Sequence, residues 1–249
     1  MSDHEHDPAS PPRALLPANG AILPLPRHVS PREWGVRAGI WTAIGLAVLL
    51  AARFDLRIMA WGQANLAWVP DGVIVWLRRC GEVSLIAIVT AVLACFDRRR
   101  ALLVAAVLCA CLLAGAMQGL GKLAIFRYRP QDSAIAELSL DAWRAVWQGV
   151  DFGARGASTQ AFPSGHTTLA FAFAGVMSWF YPRARWLFLA AAVGCGLSRF
   201  THGVHWLSDC IAGAALGYAC AWVALRPYVW VLPVIFVHRW RRRRRKSRR

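Results

Sequence analysis

Six apolar runs divide this chain, at residues 38–52, 80–96, 101–120, 166–181, 186–197 and 206–225, and a polypeptide with so many has few folds open to it. A soluble domain would have to bury all of them, whereas a bilayer accepts them as helices whose backbone groups are satisfied within each segment. The 249 residues are 57% hydrophobic and 17% charged, too apolar for an ordinary soluble domain and suited to one helical membrane bundle. The expected fold is therefore all-α, a polytopic bundle of about six transmembrane helices over residues 38–225. Several runs fall short of the roughly 20 residues a bilayer core requires, so they must recruit flanking polar residues. The run at 186–197 can span only if Ser198 and Arg199 lie inside the protein.

Residues 1–37 are rich in Pro, Asp, His and Arg, and their one apolar piece, AILPLP, is broken by prolines. No signal-peptide core forms there, and a flexible cytoplasmic tail is expected. Cations set the orientation, because Lys and Arg concentrate on the cytoplasmic side of membrane proteins. With the N-terminus inside, Arg98, Arg99 and Arg100 fall in one inner loop, Arg183 and Arg185 in the next, and the terminal RWRRRRRKSRR also ends inside. The expected placement is a multi-pass protein of the cell (inner) membrane with both termini cytoplasmic. Residues 226–249 are read as an interfacial segment and that basic tail, since the apolar stretch 228–237 reaches only about 15 Å as a helix and contains Pro233. Much of the net charge of +16 is then a terminal anchor facing anionic inner-leaflet lipids. Such a run binds any polyanion by charge, so no specific nucleic-acid partner is expected.

Two connections fall on the opposite, outer side. Residues 54–79 carry Trp61, Trp68 and Trp76 with Pro70 and Asp71; they are read as an interfacial loop, with a substrate gate as the alternative. Residues 131–162 hold Asp132, Glu137, Asp141, Asp151, Trp143 and Trp147 and are long enough to cap a site. The seven cysteines contain no C-x-x-C pair and mostly lie in apolar runs, so neither a disulfide framework nor a metal site is expected.

Three strings place polar chemistry in this greasy chain: KLAIFRYRP at 122–130, FPSGH at 162–166 and SRFTHGVHWLSD at 198–209. His205 and Asp209 are four apart, so on a helix they share a face, and the carboxylate can accept the Nδ1 proton and leave Nε2 free to attack. Alone, the pair reads equally as a surface contact at a helix end. Ser164, Gly165 and His166 precede an apolar run and read as a helix start, where unpaired N–H groups and the positive dipole end seat an anion; the plainer alternative is an N-cap. Lys122, Arg129 and Arg199 add the charge that a phosphoryl group in transfer requires. Their alternative is snorkelling to the membrane boundary, and Arg127 is read that way. For Arg199 that alternative is weak, because an arginine inside a short apolar span is costly unless paired.

Taken in order, Lys, six residues and Arg-Pro, then Pro-Ser-Gly-His, then Ser-Arg, five residues, His, three residues and Asp form a three-part pattern. With it the chain resembles the type 2 phosphatidic acid phosphatase superfamily, over residues 100–225 and with every signature position filled. The resemblance implies a metal-independent phosphatase without cofactor, in which Lys122, Arg129, Ser164, Gly165 and Arg199 hold the phosphate. It implies that His205 forms a phosphohistidine, oriented by Asp209, while His166 serves as acid and then base. His205 must then start neutral and His166 protonated, which gives a bell-shaped pH profile. His202 lies outside the signature and is read as a bystander.

A site at outer helix ends is expected to take a phosphate or diphosphate on a lipid whose tail stays in the bilayer. Undecaprenyl diphosphate, phosphatidic acid, phosphatidylglycerol phosphate and lipid A all fit that description, and a phosphotransferase of the same family is the alternative to hydrolysis. A lipid or anion transporter would also use buried cations, but it has no need of His205 and Asp209 in register with an anion-binding helix start. The related vanadium haloperoxidases share the cradle in soluble chains, against which the spans argue.

Overall fold

The computed structural model describes residues 31–132, 147–150 and 159–226. Among them are seven α-helices and a two-stranded sheet: α1 (Pro31–Asn65), α2 (Asp71–Arg79), α3 (Val83–Phe96), α4 (Arg100–Ala124), β1 (Ile125–Arg127), β2 (Trp147–Val150), α5 (Gly165–Phe180), α6 (Arg185–Thr201) and α7 (Leu207–Ala224). Residues 1–30 of the expected N-terminal tail, 227–249 of the C-terminal segment, and most of the expected cap at 133–146 and 151–158 lie outside the described residues; 31–37, expected in the flexible tail, are instead the first turns of α1.

Each of the six apolar runs falls in a helix, and α4 shows why. It holds 25 residues without proline, about 37 Å of helix, enough to cross the roughly 30 Å hydrocarbon core. Among the described residues, α4 and α7 are long and apolar enough to cross a membrane, and α2 with α3, bent by 60° at their junction, pass the same test when taken together.

The all-α expectation requires one correction. Ile125, Phe126 and Arg127 leave α4 as an extended strand, pairing antiparallel with β2 in the register Ile125↔Val150 and Phe126↔Gly149. Two successive β-favouring side chains at the end of a long helix account for the switch. The expected interfacial loop at 54–79 is also corrected. Helix α1 runs on to Asn65 and α2 takes up 71–79, because the sequence offers no proline break until Pro70 and because Asp55 is buried at 2% exposure.

Helix α5 is the hub, buried along most of its length from Gly165 to Phe180 and packed on α4, α6 and α7. Its closest partner is α7, where Gly213 and Gly217 stand four apart. A Cβ on Gly213 would lie 2.7 Å from the Ser164 carbonyl oxygen, and one on Gly217 would lie 2.9 Å from the Ala172 nitrogen. Only glycine lets these two backbones approach so closely. The contact brings the starts of α5 and α7 together, and the Ser164 N–H donates to the Asp209 carbonyl at 3.1 Å. At the opposite end, Tyr181 Oη donates to Asp97 Oδ2 at 2.9 Å and Arg99 Nη2 to the Phe180 carbonyl at 3.1 Å. The motif residues and the Arg98–Arg100 cluster therefore occupy different ends of the bundle.

Candidate active site

Four chain segments meet where α4 and α6 finish and α5 and α7 begin. Lys122 sits in the last turn of α4, Arg129 follows β1, Ser164 precedes α5 at the N-cap position, and Arg199 lies in the last turn of α6. His205 occupies the short connection between α6 and α7, and Asp209 the first turn of α7. The three sequence strings, far apart along the chain, converge here: His205 lies within electrostatic range of Asp209, Arg199 and Arg129, His166 within range of Arg199 and His205, and Lys122 within range of Arg129.

The orientation of His205 follows from its surroundings. The side chain is buried, 3% exposed, with Nδ1 2.8 Å from the Ala161 carbonyl oxygen and 3.6 Å from Asp209 Oδ2. A carbonyl oxygen only accepts, so Nδ1 carries the proton and Nε2 keeps its lone pair. The nearer acceptor is thus Ala161, which the spacing argument had not pointed to. Asp209 is occupied by other donors: the Trp206 N–H reaches Oδ2 at 2.9 Å, and Arg127 Nη1 binds Oδ1. Burial pushes the His205 imidazole below the ordinary histidine value; Asp209 draws it back up, while Arg199 and Arg129 press it down.

Around the imidazoles the charge is one-sided. Among the described residues no acceptor reaches Nε of Arg129 or Arg199, both of which are buried there, nor the buried Nε of Arg78. Arg199 is 8% exposed as a whole residue. A buried N–H donor without an acceptor is costly, and an anion that binds between Arg129 and Arg199 offsets that cost. The start of α5 adds N–H groups free of intrahelical partners. The Ser164 hydroxyl itself is buried and shared with Thr167 Oγ1 at 2.9 Å, so what this residue turns toward the space is its place at the helix start.

Several residues of the site were missed by reading the sequence. Arg127, taken as a snorkelling boundary cation, is fully buried and bridges Asp55 Oδ2 at 2.6 Å, Ser208 Oγ at 2.8 Å and Asp209. Its acidic partners are 72 and 82 residues away, beyond any local pattern; the signal available was an acid, Asp55, just past an apolar run. Gln118 of α4 packs its amide against Gly165. Arg78 of α2 pairs with Glu82 at 3.2 Å and lies within electrostatic range of His166 and Arg199. The turn carrying it is docked on the site, since Cys195 Sγ donates to the Arg78 carbonyl at 3.6 Å. No group of three or more His, Cys, Asp or Glu among the described residues is arranged to hold a metal ion.

Comparison with known proteins gives the family and the fold. The sequence model of the family described as the PAP2 superfamily matches residues 100–233. A lipid A 1-phosphatase of Rhizobium johnstonii is 42% identical over 66 residues, 26% of this chain and 26% of that protein. The chain thus matches about a quarter of the length of this curated relative. Among solved structures, the crystal structure of Aquifex aeolicus LpxE superposes with a TM-score of 0.53 at 21% identity, covering 68% of this chain and 93% of the other. The transmembrane PAP2 type phosphatidylglycerolphosphate phosphatase of Bacillus subtilis superposes with a TM-score of 0.50 at 19% identity, covering 74% and 92%.

Proposed function

We propose that this chain, which belongs to the PAP2 superfamily, hydrolyses a phosphate monoester or diphosphate carried by a membrane lipid. The observation that supports the reading is the convergence of groups: a buried imidazole whose Nδ1 meets the Ala161 carbonyl, a second imidazole within electrostatic range of it, and arginines at 129 and 199 whose buried Nε atoms meet no acceptor among the described residues. Lys122, Arg129 and Arg199, with the helix start at Ser164 and Gly165, hold the phosphoryl oxygens. His205 Nε2 attacks phosphorus and the bond to the lipid oxygen breaks. His166 gives that oxygen its proton, so the lipid leaves as a neutral alcohol or as the shorter phosphate. Water then attacks the phosphohistidine, His166 takes the proton from it, and orthophosphate departs with Nε2 restored. The cations and N–H groups act where charge builds on the equatorial oxygens, and this is the largest catalytic effect such a pocket offers.

The site faces the outside of the inner membrane in this reading, with both termini and the basic tail on the cytoplasmic side. Two of the similar proteins are named for removing phosphate from a lipid, which supports the substrate class. Undecaprenyl diphosphate, phosphatidic acid, phosphatidylglycerol phosphate and lipid A are its members to test. Phosphate release by the purified protein in detergent, measured across those lipids with His205→Ala as the blank, tests the reading. At least one lipid is expected to turn over above that blank; none doing so overturns it.

The pH profile offers an independent check. The nucleophile must be neutral, and burial holds His205 below the ordinary imidazole value, which is about 6.5. Protonation of His205 therefore begins to cost activity only as the pH falls below that value. The acid limb of kcat/KM is expected below pH about 6.5; an acid limb at or above it contradicts the assignment.

A further inference from the structure

We infer that Asp55 and Arg127 are positioning residues for His205, clamping from α1 and β1 the two acceptors that hold its Nδ1 proton. The inference rests on the phosphohistidine reading above and extends it to residues outside the signature. Arg127 acts twice. Its carbonyl accepts the Ala161 N–H at 3.1 Å, and the Ala161 carbonyl accepts from His205 Nδ1 at 2.8 Å. Its guanidinium binds Asp209 Oδ1 and lies 5.3 Å from the centre of the Trp206 ring. Both routes to the imidazole pass through this one residue.

Asp55 fixes the guanidinium from the far side. Its Oδ2 accepts from Arg127 Nη2 at 2.6 Å and also from the Ser208 hydroxyl, while Oδ1 accepts the Ser208 N–H at 3.1 Å. That N–H belongs to the first turn of α7, which has no carbonyl of its own helix to bond. An acid of α1 thus caps the helix that carries Asp209, and the Trp206 N–H on Oδ2 at 2.9 Å leaves that carboxylate little room to rotate. Buried ion pairs of this kind contribute little net stability compared with apolar packing; what this one supplies is a fixed direction for the attacking imidazole. Misplacing a reacting group by about 1 Å costs on the order of a hundredfold in rate.

The test uses full-length protein in detergent micelles with dioctanoyl phosphatidic acid, following phosphate release. Asp55→Asn keeps an acceptor for the Ser208 N–H but loses the ionic bond, and Arg127→Lys keeps the charge but not the fork. Each is expected to lower kcat about tenfold to a hundredfold, with KM within about twofold, since neither residue touches substrate. Asp55→Asn/Asp209→Asn is expected to be no slower than Asp209→Asn alone, because the first residue acts through the second. Unchanged kcat in both single variants, losses that multiply in the double variant, or a rise in KM at constant kcat each overturns the inference. Should Asp55→Asn fail to give a monodisperse protein, Arg127→Lys and Ser208→Ala carry the same comparison. If the wild type releases no more phosphate than His205→Ala from this lipid or from any of the other three, the functional reading falls and this inference with it; if another of them turns over, the clamp variants are compared on that lipid. If the wild type is active and the clamp variants match it, only the clamp is wrong.

Discussion

His205→Ala is expected to abolish turnover, with kcat lower by about ten-thousandfold or more, and no phosphate trapped on the protein when a labelled lipid is quenched in mid-reaction. The reason is that no other group in the site can take its place. His166 is the other imidazole there, and in the proposed cycle it must hold the proton that the leaving oxygen takes. The substitution also leaves the Ala161 carbonyl without its donor, a cost of roughly 1–3 kcal/mol. A modest fall in melting temperature is therefore expected alongside the loss, and His205→Asn, which restores an N–H near that carbonyl, should recover stability without recovering activity. Steady turnover in His205→Ala would refute the nucleophile assignment.

Arg199→Met is expected to separate activity from stability in the opposite sense. The arginine is buried, and among the described residues nothing accepts from its Nε, so the folded protein bears its desolvation without a compensating partner. Removing the charge while keeping much of the volume should leave the melting temperature in detergent unchanged or higher. The same change should lower kcat/KM by about a hundredfold to a thousandfold, the usual effect of deleting one preorganised donor to a developing oxyanion. Inorganic phosphate or vanadate should raise the melting temperature of the wild type and not that of the variant. A fall in stability in step with activity would show that Arg199 is a structural residue and not a phosphate ligand. Arg199→Lys is expected to recover only part of the loss, because a point charge does not reproduce a planar pair of donors.

The two residues differ in how readily the chain disclosed them. The expectation that His205 and Asp209 share a face of one helix is corrected, since His205 precedes α7 and only Asp209 is on it; the four-residue spacing still leaves Nδ1 3.6 Å from Oδ2, because the chain turns into the helix between them. Arg199 was legible because a charge inside a short apolar run demands an explanation wherever it occurs. Arg127 was not. Its neighbour Arg129 was picked out by the Arg-Pro of the signature, whereas only tertiary contacts reveal that Arg127 faces buried carboxylates. Asp55 went unread for the same reason, since its partner lies across the bundle.

What the sequence determined unaided was six of the seven described helices and the polar strings near their ends, because hydrophobic runs, helix starts and intramembrane charges are local properties, each decided within a few turns of chain. What only the tertiary structure decided was that Arg127 is clamped between buried carboxylates, and that the Ala161 carbonyl is closer to the His205 proton than Asp209 is. Those outcomes depend on α1, β1, α5 and α7 meeting at one end of the bundle. An ion pair 72 residues apart or a carbonyl 44 residues away leaves no periodic trace in a linear sequence; it becomes an interaction only when packing has brought both partners out of water into the same few ångströms.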